Sequence, residues 1–136
     1  MDIPAEGRYS DKAESGKLYR NRYFKDATFE ALRVIEPVVE KHGLTMLETA
    51  LRWVHHHSAL NMKDGGRDGV LIGVSSFEQL VSNLRDIEKG PLPDEVVEAL
   101  DKAWLIAKPT TTSYWHLDLK YTYDTKEALF KPKQKA

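Results

Sequence analysis

Residues Val70-Leu71-Ile72-Gly73-Val74 make a short, nearly unbroken apolar run, and the residues after it change period. Such a run is the pattern of a strand buried on both faces of a parallel sheet. Phe77, Leu80, Val81, Leu84 and Ile87 then recur at the spacing of one helix face. A strand followed at once by an amphipathic helix is one βα unit, and no second strand of this kind is evident elsewhere in the chain. A lone buried strand has no partner for its backbone N–H and C=O groups. The chain therefore reads as a piece of a larger sheet or barrel, or as one that borrows a strand from a partner.

Ser75 and Ser76 join the run to the helix. Ser76 with Gln79 has the S-x-x-Q form of a capping box, which predicts that the helix starts there. Free backbone N–H groups and the positive end of the helix dipole then meet two hydroxyls, a seat for phosphate. Two readings stand at this point: a phosphate site, and a capped helix packed on a sheet.

The remaining elements are read as helices and loops. Residues 1–25 read as a polar loop ending in Tyr19-Arg20-Asn21-Arg22-Tyr23-Phe24, two arginines among three aromatics. That segment is a loop pinned by aromatic burial, a two-point clamp for a carboxylate or phosphate, or a platform for RNA bases. A first helix is expected from about residue 28 to 42, with Phe29, Leu32, Ile35 and Val39 inward and Gly43 ending it. Pro37 is expected to kink or break it near Glu36. Thr45 opens a second helix through the box Thr45-Met46-Leu47-Glu48, with Leu47, Ala50, Leu51 and Val54 on its apolar face. His55-His56-His57 is not read as a metal site, because consecutive helical residues point about 100° apart. Asn61 to Asp68 is a connector. After Gly90-Pro91-Leu92-Pro93 a last helix runs to about Ala107, burying Val96, Val97, Leu100, Ala103 and Trp104. Beyond Pro109 the period is lost, and Lys131–Ala136 reads as a basic, disordered tail.

Composition sets limits on partners. With 20 basic and 21 acidic residues the net charge is −1, which gives no basic footprint for nucleic acid. There is no cysteine, so neither a disulfide framework nor a thiolate site is available. No apolar run approaches a membrane span, and the first residues lack the pattern of a signal peptide, so a cytoplasmic protein is expected.

Several segments in order also resemble a known family. They are Gly7-Arg8, Tyr19-Arg20-Asn21-Arg22-Tyr23, Ala50-Leu51-Arg52-Trp53 with His56-His57-Ser58, and Ser75-Ser76-Phe77-Glu78-Gln79-Leu80 with Asn83-Leu84. Glu88-Lys89-Gly90-Pro91-Leu92, Val96-Val97 and Ala103-Trp104 follow. The run over residues 7–107 resembles the C-terminal part of an aldo-keto reductase, in the aflatoxin-aldehyde and succinic-semialdehyde reductase branch. The resemblance implies an α/β fold: part of a (β/α)₈ TIM barrel comprising helix seven, strand eight, helix eight and a C-terminal helix, mostly helical as an isolated chain. Residues 1–108 would be the partial reductase domain, and 109–136 an irregular or disordered extension.

The resemblance implies an NADPH-dependent oxidoreductase that reduces aldehydes or ketones to alcohols. Phosphate sites on this barrel recur after strands seven and eight, which favours the phosphate reading of the serines. In the complete barrel Ser75 and Ser76 would hold the adenosine-side phosphate of NADPH, with Gln79 and Asn83 reaching toward ribose phosphate and adenine. Arg8 matches a cofactor-contacting arginine, and Tyr19 and Arg22 match substrate-side positions. Gln79 stands where the wider superfamily often has an arginine for the 2′-phosphate. The branch tends to end in an aromatic-arginine terminus; by count from Trp104 that position is His116, and the chain continues beyond it. The family's acid–base Asp, Tyr, Lys and His have no counterparts here, so the chain alone is expected not to turn over. The alternatives are a catalytically silent module that binds nucleotide or docks on a full-length reductase, and a purely structural helical protein; the partner options are a homo-oligomer and a full-length reductase. Expressed alone, a half-barrel is expected to aggregate or to be marginally stable.

Overall fold

Hydroxyl caps start two of the helices, and a glycine ends each of two. In the computed structural model, residues 3–12, 15–62, 65–111 and 124 are described. Thr45 is the N-cap of α3 (Met46–His56), its hydroxyl accepting the Glu48 N–H at 3.0 Å. Ser76 is the N-cap of α4 (Phe77–Glu88) and accepts the Gln79 N–H at 3.2 Å. Both starts fall where the capping boxes predict. Gly43, at φ +64°, closes α2 (Asp26–Lys41), with its N–H on the Glu40 carbonyl and the Leu44 N–H on the Val39 carbonyl. That pair of bonds is a Schellman motif. Gly90, at φ +82°, stands in the same place after α4. α5 runs Asp94–Ala107 and continues as a 3₁₀ turn, Lys108–Thr110.

The principal packing pair is α2 against α5. Ala31, Ile35 and Val39 of α2 meet Leu92, Val96 and Ala103, with Val96 fully buried. The two helices run antiparallel. Lys25 donates to the Thr110 carbonyl at one end, and Glu95 accepts from Lys41 at 2.6 Å and meets His42 at 2.8 Å at the other. α3 also touches α2, and α4 packs on α3.

Four expectations are corrected. Residues 16–23 are not loop but a helix, α1 (Gly16–Tyr23). Its Tyr19 and Tyr23 rings, one turn apart, stack at 6.3 Å. Pro37 does not break α2, which runs on to Lys41. Its neighbours Ile35 and Val39 are both buried against α5, and that packing offsets the missing backbone bond. Val70–Val74 forms no ladder, and no strand occurs among the described residues. Leu71 is fully exposed rather than buried, because no neighbouring strand or helix layer covers it.

The fourth correction concerns helix faces. In α3 the buried residues are Glu48, Thr49 and Arg52, while Leu47 is 55% exposed. In α4 the buried residue is Asn83, while Phe77 is 73% exposed and Leu84 is also exposed. In α5 Trp104 is half-exposed, and Ala99 is buried in its stead. The apolar stripes of α3 and α4 exist as read, but the described residues cover them only in part: Leu51, Val54, Leu80, Val81 and Ile87 are half-buried. Tyr114, Trp115, His116 and the Lys131–Ala136 tail lie outside the described residues.

Candidate functional site

The Ser75–Ser76 corner opens to solvent. Ser75, Ser76, Phe77, Glu78 and Gln79 are all exposed at the start of α4. Gln79 Oε1 accepts from both the Ser75 N–H and the Ser75 hydroxyl, each at 3.0 Å. The capping box is therefore displaced by one residue. Its hydroxyl half is made by Ser76, and its glutamine half reaches Ser75 instead of the Ser76 N–H. The Glu78 carboxyl is held below the usual carboxylate range, first by its own backbone N–H and then by the Ser76 hydroxyl. A helix N-terminus favours negative charge in this way. The backbone and hydroxyl donors of the corner thus already face one anionic group, the Glu78 carboxylate. Asn83, two turns beyond Ser76, is 7% exposed.

The arginine and tyrosine positions form a separate cluster on α1 and the loop before it. The Arg8 guanidinium lies 5.2 Å from the Tyr19 ring centroid, and Arg22 lies 5.8 Å from that of Tyr23. Tyr9 meets Tyr19 and Tyr23 edge-on and stacks on Phe24 at 5.1 Å. Arg20 donates to the Tyr9 carbonyl and fastens the loop to the helix. The segment is therefore a pinned aromatic cluster with guanidinium groups laid on its rings. Arg22, Lys25, Thr28, Thr110 and Thr111 line a cavity of about 300 Å³ beside it.

The three histidines serve different partners. His57 Nε2 accepts the Leu92 N–H at 2.9 Å, His56 Nε2 lies 3.1 Å from the Ile87 carbonyl, and His55 Nδ1 is buried without a partner. Among the described residues no group of three or more potential ligands could hold a metal ion. Among them, too, no helix is long and apolar enough to cross a membrane.

What the sequence reading missed is the polar join between α3 and α4. Arg52 donates from Nε to the Gly90 carbonyl (2.8 Å), from Nη2 to the Pro91 carbonyl (2.6 Å) and from Nη1 to Glu48 (2.7 Å). Lys89 bridges Glu48 at 3.0 Å and Asp86 at 2.8 Å. The i, i+4 spacing of Glu48 and Arg52 was the available signal. It was masked by assigning Glu48 to a capping box.

The chain's sequence matches a family of redox enzymes. Residues 5–105 match the profile of the Aldo/keto reductase family, and the chain is a member of it. It is 46% identical over 109 residues to an aldo-keto reductase of Pseudocercospora fijiensis (strain CIRAD86), covering 80% of this chain and 36% of that protein. It is 40% identical to aflatoxin B1 aldehyde reductase member 2 of Rattus norvegicus, covering 81% of this chain and 30% of that protein. With aldo-keto reductase family 7 member A3 of Homo sapiens the identity is 38%, over 73% of this chain and 30% of that protein. The chain spans about a third of the length of these curated relatives.

Proposed function

We propose that this chain is the C-terminal portion of an NADPH-dependent aldehyde or ketone reductase, carrying the cofactor's phosphate and adenosine site. Residues 1–108 are the reductase part, from helix seven to the C-terminal helix of a (β/α)₈ barrel, and 109–136 are an extension. The observation that supports this most is the open Ser75–Ser76 corner at the start of α4, with its backbone donors already favouring an anion.

In this reading Ser75 and Ser76 bind the phosphate through hydroxyl and backbone N–H groups. Gln79 and Asn83 turn their amides toward ribose phosphate and adenine, and Arg8 closes over the nucleotide. Tyr19 and Arg22 face the substrate, where a guanidinium fork orients a polar tail. The bound nicotinamide supplies hydride. Protonation of the developing alkoxide falls to residues outside this chain, so the chain alone does not turn over. A cytoplasmic setting is part of the same proposal.

The exposed apolar faces of α3 and α4 favour a second reading, a silent module docked on a fuller reductase. Co-elution with a full-length reductase would select it.

Titrating the full chain with NADPH while following Trp53 and Trp104 fluorescence tests the site. Saturable binding is expected, weakened by salt and tightened in Glu78→Gln, because that change removes the anion already seated on the corner. Absence of binding, or indifference to Glu78→Gln, contradicts the site.

A further inference from the structure

α4 is fastened at the end away from the serines. Its first turn makes its side-chain bonds within itself, Ser75 and Ser76 with Gln79. Its last turn and the residues after it are bonded to α3: Ile87 by His56, Lys89 by Glu48, Gly90 and Pro91 by Arg52, and Leu92 by His57. Arg52 and Glu48 are 7% and 4% exposed. A buried ion pair rarely stabilises a fold better than apolar side chains of the same volume. Burial here removes Arg52 from solvent, yet each of its three guanidinium nitrogens meets an acceptor, two of them successive carbonyls of one turn. Such a fork fixes direction as well as distance.

The length of α4 turns direction at one end into position at the other. Twelve residues at 1.5 Å each give a rod of about 18 Å, so a tilt of roughly 10° at the Gly90 end carries the Ser76 end about 3 Å. Misplacements near 1 Å cost positioned reactions about a hundredfold, so a shift of this size at a binding group is large. We propose that Arg52, supported by Glu48, is a positioning residue that aims the nucleotide-facing end of α4. This rests on the reading of Ser75–Ser76 as the phosphate seat.

The test compares the full chain as wild type, as Glu48→Leu/Arg52→Met and as Arg52→Lys. The first variant replaces the pair by apolar groups, and the second keeps a cation on Glu48 but cannot span both carbonyls. Amide exchange is read across α4 and across the α2–α5 pair, and NADPH affinity by titration. Both variants are expected to keep α2–α5 protection, to exchange at least about tenfold faster over residues 77–82, and to bind NADPH about tenfold more weakly. Wild-type exchange and affinity in the apolar double variant overturn the inference, since the pair then only fills space. Should that variant lose α2–α5 protection, Arg52→Lys carries the same comparison. If the wild-type chain binds no NADPH, the phosphate seat itself fails, and the exchange arm alone decides whether Arg52 aims α4.

Discussion

Ser76 shows how much one hydroxyl decides at the residue scale. It opens α4 and satisfies the Gln79 N–H, while the Ser75 N–H before it is held by the Gln79 side chain. Ser76→Ala should therefore cost about 1 kcal/mol, as loss of an N-cap usually does, read from denaturant unfolding at pH 7. This start was legible because a cap is a local device: the hydroxyl and the amide it binds lie three residues apart. The same holds for Thr45. Glu48 was only half legible, because its backbone N–H obeys the capping box while its carboxylate turns to Arg52 and Lys89. Nothing near Glu48 in sequence announces the Gly90 turn. Glu95 gives a pH prediction. Lys41 first and His42 second hold its carboxyl below the ordinary value. Its contribution is complete above the usual carboxylate value and is lost as the pH falls through the depressed one. Glu95→Gln should flatten the acid limb of the stability profile by lowering the neutral plateau toward the acid value, and raised salt should do so partly, since both side chains are largely exposed.

Elements were legible where period and punctuation agreed. α2 and α5 carry both, and their buried residues Ile35, Val39, Val96 and Ala103 lie on the faces the spacing gives. α1 was missed because eight residues with a strongly polar average show little period; its Tyr19–Tyr23 stack was the sign. Pro37 misled because its local cost is real, but tertiary packing on both sides outweighs it. That cost remains in the molecule, and Pro37 is exposed. Pro37→Ala should stabilise the chain by about 2 kcal/mol, the helix-interior penalty less the entropy proline removes from the unfolded chain. A lower midpoint in urea would contradict this.

For the whole molecule, the sequence carries the pattern of a covered βα unit without its cover. Periodicity reports which face a helix wants to bury, not whether the burying surface is present. Leu71, Phe77, Leu84 and Leu47 therefore lie open, in a chain about a third the length of its relatives. The purified chain should bind a hydrophobic dye and self-associate with rising concentration, and Leu71→Lys/Phe77→Lys should lower both. A monomer that ignores the dye would show those faces to be covered after all.

The antiparallel clasp of α2 and α5 joins parts of the chain that lie far apart in sequence, and a connector around Leu60 to Gly69, most of whose described residues are exposed, lies between them. A protease that nicks this connector separates α2 and α3 from α4 and α5 covalently, but leaves the clasp and the Arg52 fork intact. Two fragments should then travel as one particle in native electrophoresis and part only in detergent.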